Sequence, residues 1–191
     1  MTTQPLLDYL SNRFTVTDAD AKLLADCFKY SAYPKNTILE PAGKIAEKLY
    51  FVLSGYIRVV RFEDGTEITT HIAGKDNLVT AFQSFNARVV SSELVQCIST
   101  CEVLWLTKAD YQLLTEKCTL WSPFCKYIYE KVITTAQQRT SDLLTLSADK
   151  RYLKLLSENP DFIQHVPVQY LASYIGIKPE SLSRIRKKII S

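Results

Sequence analysis

The last fourteen residues of the chain, "KPESLSRIRKKIIS", hold five basic side chains and one acidic one. On a helix beginning near Pro179, the side chains of Glu180, Ser181, Arg184, Lys187 and Lys188 fall on the face away from Leu182 and Ile185. These residue types at this spacing suit the recognition of a polyanion whose base edges can be read. Glu180 can accept from a cytosine amino group, and Arg184, one turn on, can fork to O6 and N7 of guanine. Lys178 and Ser181 stand at the helix start, where phosphates are held. Lys187 and Lys188 lie further along and supply charge without reading sequence. A solvated basic face is the plainer account of those two lysines.

A reading helix needs a rigid support. Leu171, Ala172, Ile175, Gly176, Ile177, Leu182 and Ile185 form the set that two steeply crossed helices require. Leu171 and Ile175 make one inward face, and Leu182, Ile185 and Ile189 make the other. Ala172 is small where the helices must approach, and Gly176 permits a left-handed turn that a Cβ would oppose. Pro167 and Pro179 each stand where a helix can begin without losing a needed N–H. The pattern predicts a helix-turn-helix; the competing account is a plain packed pair with Gly176 as a cap.

Ahead of it the spacing predicts a short helix, "ADKRYLKLLSE", ending at Asn159-Pro160, and before that a long one, "PFCKYIYEKVITTAQQRTSDLLTL". Ser122 reads as the cap of the long helix and Pro123 as part of its first turn. Phe124, Ile128, Val132, Thr135 or Ala136, and Leu143 recur at a coiled-coil-like interval, a stripe blemished by Gln138 and Arg139. Two readings compete, a helix packed on its own domain and one seam of a parallel dimer.

Residues 33 to 107 have a different texture. Short runs rich in aromatic and β-branched residues alternate with turn signals at residues 34–36 and 41–43, Ser54-Gly55 and Asp64-Gly65. They predict a small β sandwich or barrel, interrupted by "DNLVTAFQSFNARVVSSE" and closed by a capping arrangement over Thr107 to Asp110. Two short helices precede it within residues 4 to 30.

The totals agree with this division. The chain has 191 residues, 47% of them hydrophobic, enough for one sizeable core and a small satellite. Residues 147 to 191 carry eight Lys and Arg against four Asp and Glu, a net +4, while residues 1 to 146 carry fifteen against sixteen, a net −1. The excess charge sits in the tail, where an anionic partner would meet it. No stretch approaches the roughly 18 apolar residues of a bilayer span, and "MTTQPLLDYLSNR" lacks a basic leader followed by an apolar run, so a cytoplasmic protein without a membrane is expected. Cys27, Cys97, Cys101, Cys118 and Cys125 form neither a CxxC pair nor a cluster with His, and are read as reduced, part-buried residues with no metal or cofactor.

With these residues in place, the chain from about residue 15 onward resembles the Crp/Fnr family of bacterial transcription regulators. The resemblance rests on "LYFVLSGYIRVV", a strand, Ser-Gly turn and strand, and on "LASYIGIKPESLSRIRKKI", which is similar to the family's recognition motif. The family typically places Arg-Glu at the start of the reading helix and Arg one turn later. Glu180 and Arg184 keep two of these, and Pro179 replaces the first Arg. The resemblance implies an α+β chain: a double-stranded β-helix or jelly-roll domain of the cyclic-nucleotide-binding type at 1–118, a dimerisation helix at 119–146, and a helix-turn-helix domain at 147–191. It favours the dimer seam along residues 123 to 146, with two reading helices about 34 Å apart on two-fold symmetric duplex DNA.

The family's nucleotide pocket carries a Gly-Glu pair for the ribose and an Arg beside Ser or Thr for the cyclic phosphate. Here Thr80-Ala81 and Ser91-Ser92 fall at those places, and Arg88 lies a few residues early. Losing a charge-assisted phosphate contact forgoes about 1.5–3 kcal/mol, so cyclic AMP is not the expected effector. Phe82, Phe85 and Trp105 are candidates for an apolar effector pocket or for plain core. His71 and His165 are read as ordinary residues, so no haem is expected. Many relatives continue into a wing after the reading helix; with the sequence ending at Ser191, Lys187 and Lys188 are expected to carry more of the phosphate binding. The expectation is a homodimeric DNA-binding regulator, free of catalysis, with an effector of unknown identity. The rival is a ligand-binding or protein-interaction module built on the β domain.

Overall fold

The computed structural model describes residues 3–190. Helices α1 (Gln4–Ser11) and α2 (Asp18–Cys27) lead into β1 (Lys29–Tyr33), β2 (Ile38–Glu40), β3 (Lys48–Ser54), β4 (Ile57–Glu63), β5 (Thr66–Ala73) and β6 (Leu78–Val79). Helix α3 (Phe82–Ala87) interrupts the strands before β7 (Glu93–Cys97) and β8 (Cys101–Thr107). The rest is helical: α4 (Lys108–Lys117), α5 (Trp121–Thr145), α6 (Ala148–Glu158), α7 (Pro160–His165), α8 (Val168–Tyr174) and α9 (Pro179–Ile190). None of the described helices is long and apolar enough to cross a membrane.

The strands form two four-stranded antiparallel sheets in the jelly-roll manner, ordered β1-β8-β3-β6 and β2-β7-β4-β5. Asp64 and Gly65 take positive φ, as a two-residue turn between right-twisted strands requires, and join β4 to β5. Gly55 (φ +82°) turns β3 into β4, and a Cβ there would collide with the carbonyl oxygen of Thr100. Leu49, Tyr50, Phe51 and Val52 are all buried because β3 is covered on both faces. From outside, α1 brings Leu6, Tyr9 and Leu10 onto it, with the rings of Tyr9 and Phe51 centred 5.7 Å apart.

Thr107 and Asp110 cap α4 reciprocally: the Thr107 hydroxyl accepts from the Asp110 N–H at 3.2 Å, and the Asp110 carboxylate accepts from the Thr107 N–H at 3.1 Å. The long helix departs from expectation at its start. It begins at Trp121, with Leu120 in the cap position and no side-chain cap, so Ser122 lies inside the first turn. Packing overrides the capping signal here, because Trp121 and Phe124 are wholly enclosed, Trp121 against Phe28, Tyr111 and Phe124 at 5.6–5.8 Å. The expected stripe along α5 divides accordingly. Phe124 and Ile128 are buried in the β domain's own core, while Val132, Ile133, Leu143 and Leu144 are exposed.

Beyond α5, Tyr152, Leu155, Val166, Leu171, Ala172, Ile175, Leu182 and Ile185 make a second small core. Helix α7 was absent from the sequence expectation; Pro160 at its first turn starts a new helix as readily as it ends the previous one. Ile189, expected to face inward, is 40% exposed because the core ends one turn earlier, at Ile185. Gly176 (φ +71°) closes α8: its N–H donates to the Ser173 carbonyl at 3.1 Å and the Ile177 N–H to the Ala172 carbonyl at 3.0 Å.

The two turn glycines predict different costs. At Gly176 an added Cβ meets only the flexible Leu143 Cδ2, 2.8 Å away, so Gly176→Ala should lose about 1–2 kcal/mol, the cost of the left-handed backbone. Gly55→Ala adds a clash with backbone and should lose about 3 kcal/mol or more. Urea unfolding of both variants checks the order; equal losses would contradict it.

Candidate nucleic-acid interface

Helix α9 buries Leu182 completely and Ile185 nearly so, which turns the other side of the rod to solvent. Lys178, Glu180, Arg184, Lys187 and Lys188 are exposed, and Ser181 is half-buried. Glu180, Arg184 and Lys187 follow one another at four- and three-residue spacing along one stripe. Among the described residues Arg184 makes no hydrogen bond or ion pair, so its fork is available. Lys188 leans toward Asp149 of α6 at 3.6 Å, an exposed pair that a phosphate can outcompete. The amide hydrogens of Ser181 and Leu182 are taken by the Lys178 carbonyl at 3.0 and 3.1 Å. The helix start therefore offers the Lys178 ammonium and the Ser181 hydroxyl to a phosphate. Ser183, exposed and one turn from Glu180 and Lys187, belongs to the same face. Sequence reasoning passed over it because a neutral hydroxyl adds nothing to a charge pattern; its three-residue spacing from Glu180 was the available signal.

Three sets of contacts hold this unit. The last carbonyls of α8 are capped by cations from two other helices: Arg139 Nε of α5 donates to the Tyr174 carbonyl at 2.9 Å, and Arg151 Nε of α6 to the Ile175 carbonyl at 2.9 Å. Lys154 of α6 pairs with Asp142 of α5 at 2.7 Å, both largely shielded. Against the β domain, the Ser173 hydroxyl accepts from the Thr69 N–H at 2.8 Å on the open edge of β5. Beside it, Arg58 lies 3.7 Å from the Tyr170 ring centre while donating to Glu67 at 2.6 Å and Gln96 at 2.7 Å. Tyr56 stacks on His165 at 5.9 Å and meets Phe162 edge-on at 5.6 Å. Ile72 and Ile98, from the β domain, sit in the core of the helical unit.

Between the β domain and α5 lies a cavity of about 470 Å³, walled by apolar side chains including Leu49, Val59, Leu78, Val79, Ile128 and Tyr129. Of the residues expected at an effector pocket, the structure brings Thr80 and Phe82 to its wall. Ala81 is fully buried, outside the lining. Arg88 has a left-handed backbone and ties the end of α3 to the segment before β3, donating to the Ala46 carbonyl at 2.9 Å and pairing with Glu47 at 2.7 Å. The Ser91 hydroxyl accepts from the Glu93 N–H at 2.9 Å, and the Ser92 hydroxyl from Arg61 at 3.4 Å. Phe85 is core, and Trp105 is half-buried beneath Lys48, 4.0 Å from its ring.

His71 and Arg139 also line the cavity. Burial, helped by the charges of Arg139 and Lys131, lowers the His71 imidazole to about 4. The five cysteines are all buried and free.

Scans against protein-family models and against curated proteins return no match. Solved structures do match. The c-di-GMP-responsive global regulator CLP of Xanthomonas campestris is 22% identical, with 91% of each chain covered and a TM-score of 0.68. A putative Crp/Fnr-family transcriptional regulator of Eubacterium rectale is 18% identical, covering 94% of this chain and 85% of that one, with a TM-score of 0.70. The catabolite activator protein of Thermus thermophilus is 20% identical, covering 92% and 84%, with a TM-score of 0.56. The chain has the fold of these regulators over nearly its whole length.

His71 gives a pH signature. Its folded value of about 4 lies below the ordinary 6.5, so between those pH values the unfolded chain binds the extra proton and stability falls as pH falls. The loss should be about 3 kcal/mol, and His71→Gln should flatten that part of the stability–pH curve when unfolding is followed from pH 7 to 4.

Proposed function

We propose that this chain is a homodimeric, sequence-specific DNA-binding transcription regulator that acts in the cytoplasm. In this reading residues 1–118 form the sensor domain, residues 119–146 the dimerisation helix, and residues 147–191 the reading unit. The observation that carries it is the stripe of Glu180, Arg184 and Lys187 on the exposed face of α9, in a helix pair whose inward face is fully packed. Arg184 forks to a guanine, Glu180 accepts from a neighbouring cytosine, and Lys178, Ser181 and Lys188 hold phosphates on either side.

The exposed half of α5 supports pairing of two copies. Leu144 is 83% and Ile133 55% exposed, and with Val132 and Leu143 they leave an apolar face on a helix whose other end is locked into the core. Two chains joined there set their α9 helices on successive major-groove faces, about 34 Å apart. The sensor does not answer to cyclic AMP. Its cavity wall includes Thr80 and Phe82 but no basic residue from the 88–92 loop, where Arg88 is committed to Glu47.

Selection on random duplexes should yield a two-fold symmetric motif, and light scattering should give twice the chain mass. Arg184→Glu should erase the preference for that motif over random duplex, tenfold or more, while leaving the dimer mass unchanged. Leu144→Glu should give a monomer with weak, half-site binding. Single half-sites from the unaltered protein, or cognate binding untouched by Arg184→Glu, would defeat the reading.

A further inference from the structure

Arg139 is an unusual wall for an apolar cavity. It stands on α5 among Tyr129, Val132 and Ala136, facing Leu78 and Val79 across the space, and burial lowers its affinity for its proton. It remains charged, as arginine does in proteins. Among the described residues it has no carboxylate partner: its Nε–H donates to the Tyr174 carbonyl at 2.9 Å, and its guanidinium lies 4.7 Å from the Tyr174 ring centre. Among the described residues the other guanidinium N–H groups have no acceptor. A half-buried cation without a counter-charge is costly, and an anion brought into the cavity relieves that cost. His71 of β5, also in the lining, is held neutral by its burial and offers no competing cation. Glu93, which also lines the space, is directed to Arg61 at 4.0 Å.

We propose that this cavity binds an amphipathic monoanion, an apolar body bearing one carboxylate, with the carboxylate on Arg139. This rests on the reading of the chain as a regulator and names the effector class for its sensor. The volume of about 470 Å³ lies in the range of small-molecule sites, and the lining leaves the rest of such a ligand in apolar surroundings. A phosphodiester on a ribose would place many polar atoms against Leu49, Val59 and Val79 without partners. Arg139 also ties the cavity to the reading unit, because the carbonyl it holds is that of the last residue of α8. A carboxylate that draws the guanidinium toward the cavity weakens that hold. The effector signal thus reaches the turn before α9 through one side chain.

Calorimetry on the full chain without DNA tests the ligand class apart from the DNA reading, with octanoate and 1-octanol as probes of equal apolar body. Octanoate should bind at least tenfold more tightly than 1-octanol, the worth of one charge-assisted contact. Arg139→Gln should bring octanoate down to the level of 1-octanol without changing 1-octanol. Thr135→Trp, at an exposed position on the cavity wall, should weaken both probes alike. Equal binding of the two probes by the unaltered protein, an unchanged ratio in Arg139→Gln, indifference of both probes to Thr135→Trp, or displacement of octanoate by cyclic AMP would each overturn the proposal. Should the discrimination hold while symmetric DNA binding fails, the cavity assignment stands and the DNA reading falls.

Discussion

The packing of Trp121 and Phe124 into the β domain decides where everything after them points. Both side chains are completely enclosed, in a set of tilted rings that also includes Phe28 and Tyr111. A helix of 25 residues is about 37 Å long, so anchoring its first two turns fixes the direction of the rest, which runs beside the β domain along the cavity before reaching α6. The second half of α5 has exposed apolar side chains, carries part of the cavity wall, and ends just before α6 begins. The Asp142–Lys154 pair and the Arg151 contact to the Leu146 carbonyl at 2.6 Å then set the angle of the next helix. Helix α9 is thus positioned by a chain of short-range contacts that starts in the aromatic cluster.

How much could be read from sequence depended on how local the determinants were. The helix-turn-helix was legible because Leu171, Ala172, Ile175, Gly176 and Leu182 lie within twelve residues, and a left-handed glycine between two apolar faces has few other uses. The Thr107–Asp110 box and the Asp64-Gly65 hairpin were legible for the same reason. The stripe on α5 was visible, but periodicity does not say what covers a stripe, so Phe124 and Ile128 were assigned with Val132 although they face a different neighbour. Arg139, a blemish in that stripe, meets the end of α8, 35 positions further along the chain and outside any local pattern.

The cavity was the least legible part. Its wall is drawn from β3, β4, β5, β6, β7, α3, α5 and α8, residues separated by up to 125 positions, and no single window of sequence contains it. The residues aligned to a nucleotide pocket by resemblance are otherwise engaged: Arg88 holds the Ala46 carbonyl, Ser92 accepts from Arg61, and Ser91 bonds within its own turn to Glu93.

The outer edge of β5 has a further consequence. β5 is the last strand of its sheet, and in this arrangement the Ser173 hydroxyl closes its Thr69 amide, with α8 laid along it. An unpaired strand edge is a template for another chain. The helical unit therefore shields a sticky seam as well as carrying the basic stripe. Any swing that frees α8 uncovers that seam to self-association, which favours small movements of the helical unit over its full release.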